Sequence, residues 1–268
     1  MHKPLFFLLA GLALASCSHM THPTQEVSAE LRAEFAPSGT LIAGVNLGNP
    51  VIAQADPAGG APRGVGPSLA RELARRLGVP IKYVTYDTAG KMSDAVKAGA
   101  WDVAMLAVDP ARANDIAFSA PYVQIEGTYL VRADSSFRKI EDFDKPGVRI
   151  AVGLKTAYDL YLTRTIKNAT LVRSANSIAA VEQFRNDKLD AAAGVKNPLD
   201  VIAAKDRSVR VIPGNFMTIG QASGVPRART RSAAYLSAFI EEMKASGFVA
   251  KALKDSGITD ATVAPAAR

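Results

Sequence analysis

Leu41-Ile42-Ala43-Gly44-Val45, the Pro67-opened run carrying Leu69, Leu73 and Leu77, and the apolar stretches Ile81 to Tyr86 and Trp101 to Val108 together decide the fold class. The first is a short continuous apolar run of strand length. The second repeats leucine every four residues, which lines up one face of a helix, and Gly78 stops it. Ile81 to Tyr86 reads as a strand, Lys91 to Ala98 as a short helix closed by Gly99, and Trp101 to Val108 as another strand. Strands alternating with helices argue for parallel βαβ units.

The same grammar restarts downstream. Arg149 to Val152 reads as a strand, followed by a helix from about Ala157 to Ile166. Thr170 to Val172 is a strand, and a helix from Ile178 follows an Asn176-Ser177 cap. Leu189 to Val195 is a strand before a helix opened by Asn197-Pro198. Val209 to Ile212 and Phe216 to Ile219 are further strands, and amphipathic helices through Tyr235–Met243 and Phe248–Leu253 end the chain. The two blocks share grammar without residue identity, so the economical reading is two α/β lobes.

Toward the N-terminus, Lys3 precedes an apolar run from Leu5 to Ala15, too short to span a bilayer but of signal-peptide length. It ends in Leu14-Ala15-Ser16-Cys17, an aliphatic residue and two small ones before Cys, as lipoprotein signal peptidase requires. The expectation is a signal peptide over 1–16, lipidation at Cys17 and a tether over 17–38. A plain secretory signal with an incidental Cys is the alternative.

Cys17 is the only cysteine, so no internal disulfide can form and burial alone must hold the body together. About 250 residues after processing suffice for one large domain or two ordinary ones. The formal charge of +7 is scattered, with Arg71, Arg75 and Arg76 the nearest to a cluster. That reads as a solvated helix face and not as a nucleic-acid patch.

Histidine gives the sharpest exclusion. All three, His2, His19 and His22, lie before the regular pattern begins. The body therefore lacks imidazole and thiol, which removes Ser-His-Asp and Cys-His catalysis and ordinary zinc sites. Catalysis by carboxylates alone survives. No cofactor and no metal are expected.

Open parallel sheets bind ligands beyond the carboxyl ends of their strands, where helices begin. Three such junctions stand out: Asp109-Pro110 leading to Arg112 in a first helical turn, Lys155-Thr156 after Ile150–Gly153, and Lys196-Asn197-Pro198 after Val195. A guanidinium there would hold a carboxylate through two parallel hydrogen bonds. Taken singly, Asp, Thr and Asn before helices are ordinary caps and Arg112 an ordinary surface residue.

From Thr40 to about Pro226 the chain resembles the polar amino-acid solute-binding proteins of ABC importers, extracellular solute-binding family 3. The resemblance rests on Leu69–Val79, on Ala98–Ala104, on Ile140–Phe143, on Ile150–Gly153 and above all on Arg112 to Tyr122. That last stretch reads R-x-x-x-I-x-F-S-x-P-Y. It implies a type II periplasmic-binding-protein-like α/β fold with two hinge crossings near Glu126–Val131 and Gly220–Val225. The lobes would be 39–127 with 225–268, and 128–224, the C-terminal helices returning to the first lobe.

In that family the residue matching Arg112 holds the ligand carboxylate. The covering aromatic falls in Asn46-Leu47-Gly48-Asn49, at Asn49, and a second falls near Thr88. The Ser/Thr before the arginine appears as Ala107, and the Gly-Thr or Gly-Ser pair as Lys155-Thr156. The acid that takes the ligand's amino group falls at about Val195, which puts a standard α-amino acid pose in doubt, because a buried unpaired ammonium is costly. Glu126 could replace that acid from the hinge side, or simply face solvent.

The resemblance implies a monomeric, non-enzymatic importer component, anchored to the membrane by lipid on the periplasmic side and serving permease and ATPase subunits. The alternatives are a dehydratase-like enzyme resembling cyclohexadienyl or arogenate dehydratases, with Glu126 as its acid, and a ligand-binding sensor lipoprotein.

Overall fold

The computed structural model describes residues 27–267. The expected signal peptide, Cys17 and the first part of the tether lie outside the described residues. The chain begins with α1 (Ala29–Phe35), capped by the Ser28 hydroxyl, which accepts from the Leu31 N–H. Then come β1 (Leu41–Asn46), α2 (Val65–Leu77), β2 (Ile81–Tyr86), α3 (Ala89–Asp94) and β3 (Val103–Ala107). Short β4 (Ile116–Phe118) leads into the long β5 (Val123–Arg132).

The second block is β6 (Arg149–Gly153), α4 (Ala157–Thr165), β7 (Thr170–Ser174), α5 (Ser177–Asn186), β8 (Ala191–Val195), α6 (Lys196–Lys205) and β9 (Val209–Val211). The chain returns on β10 (Met217–Pro226) and closes with α7 (Thr230–Ala245), α8 (Phe248–Asp255) and β11 (Thr262–Val263).

The strands form one hydrogen-bonded path in the order β2-β1-β3-β10-β5-β8-β6-β7. Within each half the βαβ strands run parallel, β1 beside β2 and β3, and β6 beside β7 and β8. The antiparallel pair β5 and β10 joins the halves within the sheet, from Met217 opposite Gly127 to Gln221 opposite Val123. The expected crossings, Glu126–Val131 and Gly220–Val225, fall within these two continuous strands.

A core built from α1, α2, α7 and α8 around β1 and β3 buries Phe35, Leu69, Leu73, Leu77, Leu236 and Ile240, so the C-terminal helices pack on the first half. The four-residue leucine spacing of α2 supplies its buried stripe. Two smaller clusters cover the two faces of the second half, centred on Tyr129 and Phe143 and on Phe184 and Leu189.

Local details differ from expectation in three places. The helix expected over Lys91–Ala98 starts at Ala89, because the Thr88 hydroxyl caps it by accepting from the Lys91 N–H, and it tightens to a 3-10 turn at Ala95–Ala98. The helix expected at Arg112 is a single 3-10 turn, Arg112–Asn114, because Ile116 must extend into β4 to pair with β10. The strand expected to end at Ile219 runs on to Pro226. Among the described residues, no helix is long and apolar enough to cross a membrane.

Candidate ligand-binding site

At the carboxyl end of β1 the chain turns sharply, with the Gly48 N–H donating to the Asn46 side-chain oxygen at 3.0 Å. A Cβ on Gly48 would stand 2.3 Å from the Asp87 carbonyl, so only glycine permits this approach. Asn49 follows, its side-chain oxygen buried without a hydrogen-bond partner.

At the end of β3 the Asp109 carboxylate accepts from the Ala111 N–H at 2.9 Å, shaping the turn that directs Arg112 inward. Arg112 is only 4% exposed. Its Nη1 donates to the Ala107 carbonyl at 2.9 Å and its Nη2 to the Lys155 carbonyl, also at 2.9 Å, across to the other half. Its Nε is buried and unpartnered.

Lys155 adopts a left-handed conformation at φ 56°, and its N–H donates to the Asp159 carboxylate at 2.8 Å. Thr156 caps α4: its hydroxyl accepts from the Asp159 N–H and donates to the Gly153 carbonyl at 2.8 Å. Tyr158, in the first turn of α4, donates to the Ser177 hydroxyl at the start of α5 at 2.8 Å.

These junctions converge on a partly open cavity of about 40 Å3 between the two halves. Asn46, Asn49, Ala107, Arg112, Thr156 and Val195 line it. Tyr158, Ser177, Ile219 and Gln221 contribute as well, Gln221 from the crossing strand β10. Three residues singled out from sequence do not line it. Thr88 is engaged as the α3 cap. The Lys155 ammonium turns to the rim and pairs with Asp94 at 2.6 Å, both about half exposed. Glu126 is exposed and accepts from the Asn215 amide at 3.0 Å.

Tyr158, Ser177 and Gln221 went unnoticed in the sequence. Ser177 belongs to a helix cap and Tyr158 follows Thr156 by two residues, so proximity to junctions could have flagged both. Gln221 carries no local signal.

The electrostatics are one-sided. Arg112 is the only charged residue on the cavity wall, which holds no Asp, Glu or Lys. Burial pushes its guanidinium down to about 10, against the pull of Asp109 and then Asp94, so it stays cationic at neutral pH. Asp109 is itself occupied by Arg164 at 2.9 Å. A buried cation with a spare N–H and no hydrogen-bonded carboxylate favours an incoming anion. Among the described residues, no group of three or more His, Cys, Asp or Glu could hold a metal.

The halves also meet outside the cavity. Arg164 of α4 reaches Asp109, Lys155 reaches Asp94, and the Asn197 amide donates to the Asp260 carboxylate at 2.6 and 2.7 Å. A Cβ on Gly90 would lie 2.6 Å from the Lys155 Cβ, so the approach depends on glycine at that point.

The backbone resembles several solved structures. A mutant of ArgBP from T. maritima superposes with a TM-score of 0.72 at 23% identity, covering 85% of this chain and 99% of that one. The cysteine-binding protein of Campylobacter jejuni gives 0.72 at 18% identity, covering 84% and 92%. The ancestral amino acid-binding protein AncCDT-1, a precursor of cyclohexadienyl dehydratase, gives 0.69 at 23% identity, covering 84% and 97%. At these identities the likeness establishes the two-lobed fold. No protein of curated function matches the sequence significantly. The profile of one sequence family matches residues 41–255, most of the chain, and the protein is therefore a member of the bacterial extracellular solute-binding proteins, family 3.

Proposed function

We propose that this protein is the extracytoplasmic solute-binding component of an ABC importer. It holds a small carboxylate-bearing solute, an amino acid or related organic acid, between lobes formed by 39–127 with 225–268 and by 128–224. The observation that carries this reading is the buried Arg112 guanidinium. Its Nε has no partner, and its cavity wall offers no other charge.

The missing acid narrows the ligand. An α-ammonium group in this cavity would meet Asn46, Asn49, Gln221 and hydroxyls but no carboxylate. Its desolvation would then cost several kcal/mol. Within that class the wall favours an organic acid, or an amino acid whose amine is held outside this cavity, over an α-amino acid in the standard pose. The same wall lacks a carboxyl to serve as general acid, which favours a binder over a dehydratase-type enzyme.

Lipid anchoring through Cys17 and delivery to permease and ATPase subunits complete the proposal, with the protein acting as a monomer. Calorimetric titration with common α-amino acids and with the matching acids that lack the amine tests it. Organic acids should bind and Arg112→Ala should nearly abolish that binding. Tight binding of an ordinary α-amino acid in preference to its desamino analogue would overturn the ligand assignment, and turnover of prephenate would overturn the non-enzymatic one.

A further inference from the structure

The wall around Arg112 carries hydrogen-bonding capacity that the protein itself leaves unused. Gln221 is 4% exposed, and its side-chain amide makes no hydrogen bond among the described residues. It stands directly opposite Ala107 in the antiparallel pairing of β10 with β3. Opposed residues of such a pair project from the same face, and both line the cavity. The Ala107 carbonyl in turn accepts from Arg112 Nη1 at 2.9 Å. Gln221 is thereby placed beside the guanidinium, on a strand that crosses between the halves.

Two more groups face the same space. The Asn49 side-chain oxygen is buried without a donor. Ser177 accepts from the Tyr158 hydroxyl at 2.8 Å, which leaves its own hydrogen to donate. Thr156 has no such freedom, since its hydroxyl accepts from the Asp159 N–H and donates to the Gly153 carbonyl. A buried polar atom without a partner costs stability until something satisfies it.

The unused set is mixed, and apart from Arg112 it is uncharged. Arg112 Nε can only donate, Asn49 Oδ1 can only accept, and the Gln221 amide does both. A carboxylate answers the first. The group next to it on the ligand must then both donate and accept while carrying no charge. A keto oxygen cannot donate and would leave Asn49 Oδ1 orphaned. An ammonium cannot accept, and it would be desolvated beside a wall that holds no carboxylate. A hydroxyl meets both needs.

We infer that the ligand is a 2-hydroxy carboxylic acid, its carboxylate on Arg112 and its hydroxyl read by Gln221 and Asn49. This inference rests on the carboxylate reading above and adds the group that sits beside the carboxylate. A site built to bond a hydroxyl rejects the analogue lacking it, because its own buried polar atoms are then left unpaired.

The test is isothermal titration calorimetry of the wild-type protein with two matched series that differ only at carbon 2. One is propanoate, lactate, pyruvate and alanine. The other is 4-methylpentanoate, 2-hydroxy-4-methylpentanoate, 4-methyl-2-oxopentanoate and leucine, with chiral members as both enantiomers. In at least one series the hydroxy acid should bind about tenfold or more tightly than the unsubstituted acid, and more tightly than the oxo and amino acids. Gln221→Met keeps the side-chain length and deletes the amide. The hydroxy-to-unsubstituted ratio should fall about fivefold or more in it, with the unsubstituted acid held within about threefold of wild type. Asn49→Ala, in the turn after β1, should lower the same ratio and gives an independent reading if Gln221→Met does not fold. A hydroxy acid no tighter than its unsubstituted or oxo counterpart in both series would overturn the hydroxyl assignment and leave the carboxylate reading in place. A hydroxy preference unchanged in the folded variants would overturn Gln221 and Asn49 as its readers. Tightest binding of alanine or leucine, or no binding by any of these acids, would bring down the carboxylate reading and this inference with it.

Discussion

Replacing Arg112 with Met keeps much of the side-chain volume while deleting the charge. The guanidinium is 4% exposed and donates to two carbonyls, Ala107 in one half and Lys155 in the other, with its Nε free. Loss of a buried, charge-assisted contact to a ligand carboxylate costs about 2–5 kcal/mol. At 1.4 kcal/mol per decade this is an affinity loss of about 30- to 4,000-fold. The effect on folding is smaller. Removing a buried cation relieves desolvation, and this offsets the two carbonyls left unpaired, so thermal unfolding should move by about 1 kcal/mol or less. Arg112→Lys should rescue poorly, since an ammonium is a point charge without the planar fork that reaches both carbonyls and a carboxylate. Calorimetry for binding and a thermal melt for stability separate the two effects. Wild-type affinity in a folded Arg112→Met protein would refute the assignment of Arg112 as the anion clamp.

Lys155→Ala should weaken binding by less than about 1 kcal/mol, because its ion pair with Asp94 is half exposed; a loss equal to that of Arg112→Met would place its ammonium on the ligand. Gly90→Ala brings a Cβ to 2.6 Å from the Lys155 Cβ, and such overpacking costs about 1–3 kcal/mol. Small-angle scattering should then show a larger radius at saturating ligand than wild type, and an unchanged radius together with unchanged affinity would count against closure at this contact. Glu72 is held down to about 2 first by its hydrogen bond to Arg75 and then by Arg76, from an ordinary 4.5. Its contribution to stability is therefore present above pH 4.5 and disappears as pH falls toward 2. Glu72→Gln should flatten the acid limb of the unfolding curve in that window, and an identical limb would remove Glu72 as its cause. Cys17→Ser should release the protein from the membrane fraction, and undiminished palmitate labelling would refute lipidation there.

Much of the fold was legible because its signals are local. Leu69, Leu73 and Leu77 face one way on α2 by helical spacing alone, and Gly78 ends that helix in the left-handed conformation, at φ 66°, that only glycine adopts freely. Asn176 and Thr156 announce α5 and α4 as caps, since a side-chain oxygen before an apolar run satisfies free N–H groups there. The run from Arg112 to Tyr122 was specific enough to indicate the family. Where neighbours in the chain did not hold the deciding information, expectation and structure parted. The Arg112 helix shortened to one turn because β4 must reach β10, whose paired residues lie more than a hundred positions away.

The candidate site divides in the same manner. By itself, the sequence determined that two α/β blocks would offer polar strand-to-helix junctions and that no imidazole or thiol could act in the body. It also marked Arg112 as the cation to watch. Only the tertiary structure decided what those junctions enclose. It turned the Lys155 ammonium out to Asp94 and spent Thr88 on a helix cap. It left Glu126 at the surface against Asn215, and brought Gln221 in from a returning strand. The reason is physical: periodicity and capping act within a turn of the chain, whereas a cavity wall is set by which distant backbones can approach. Here that approach depends on glycines at 48 and 90, where any side chain would collide with the Asp87 carbonyl or the Lys155 Cβ.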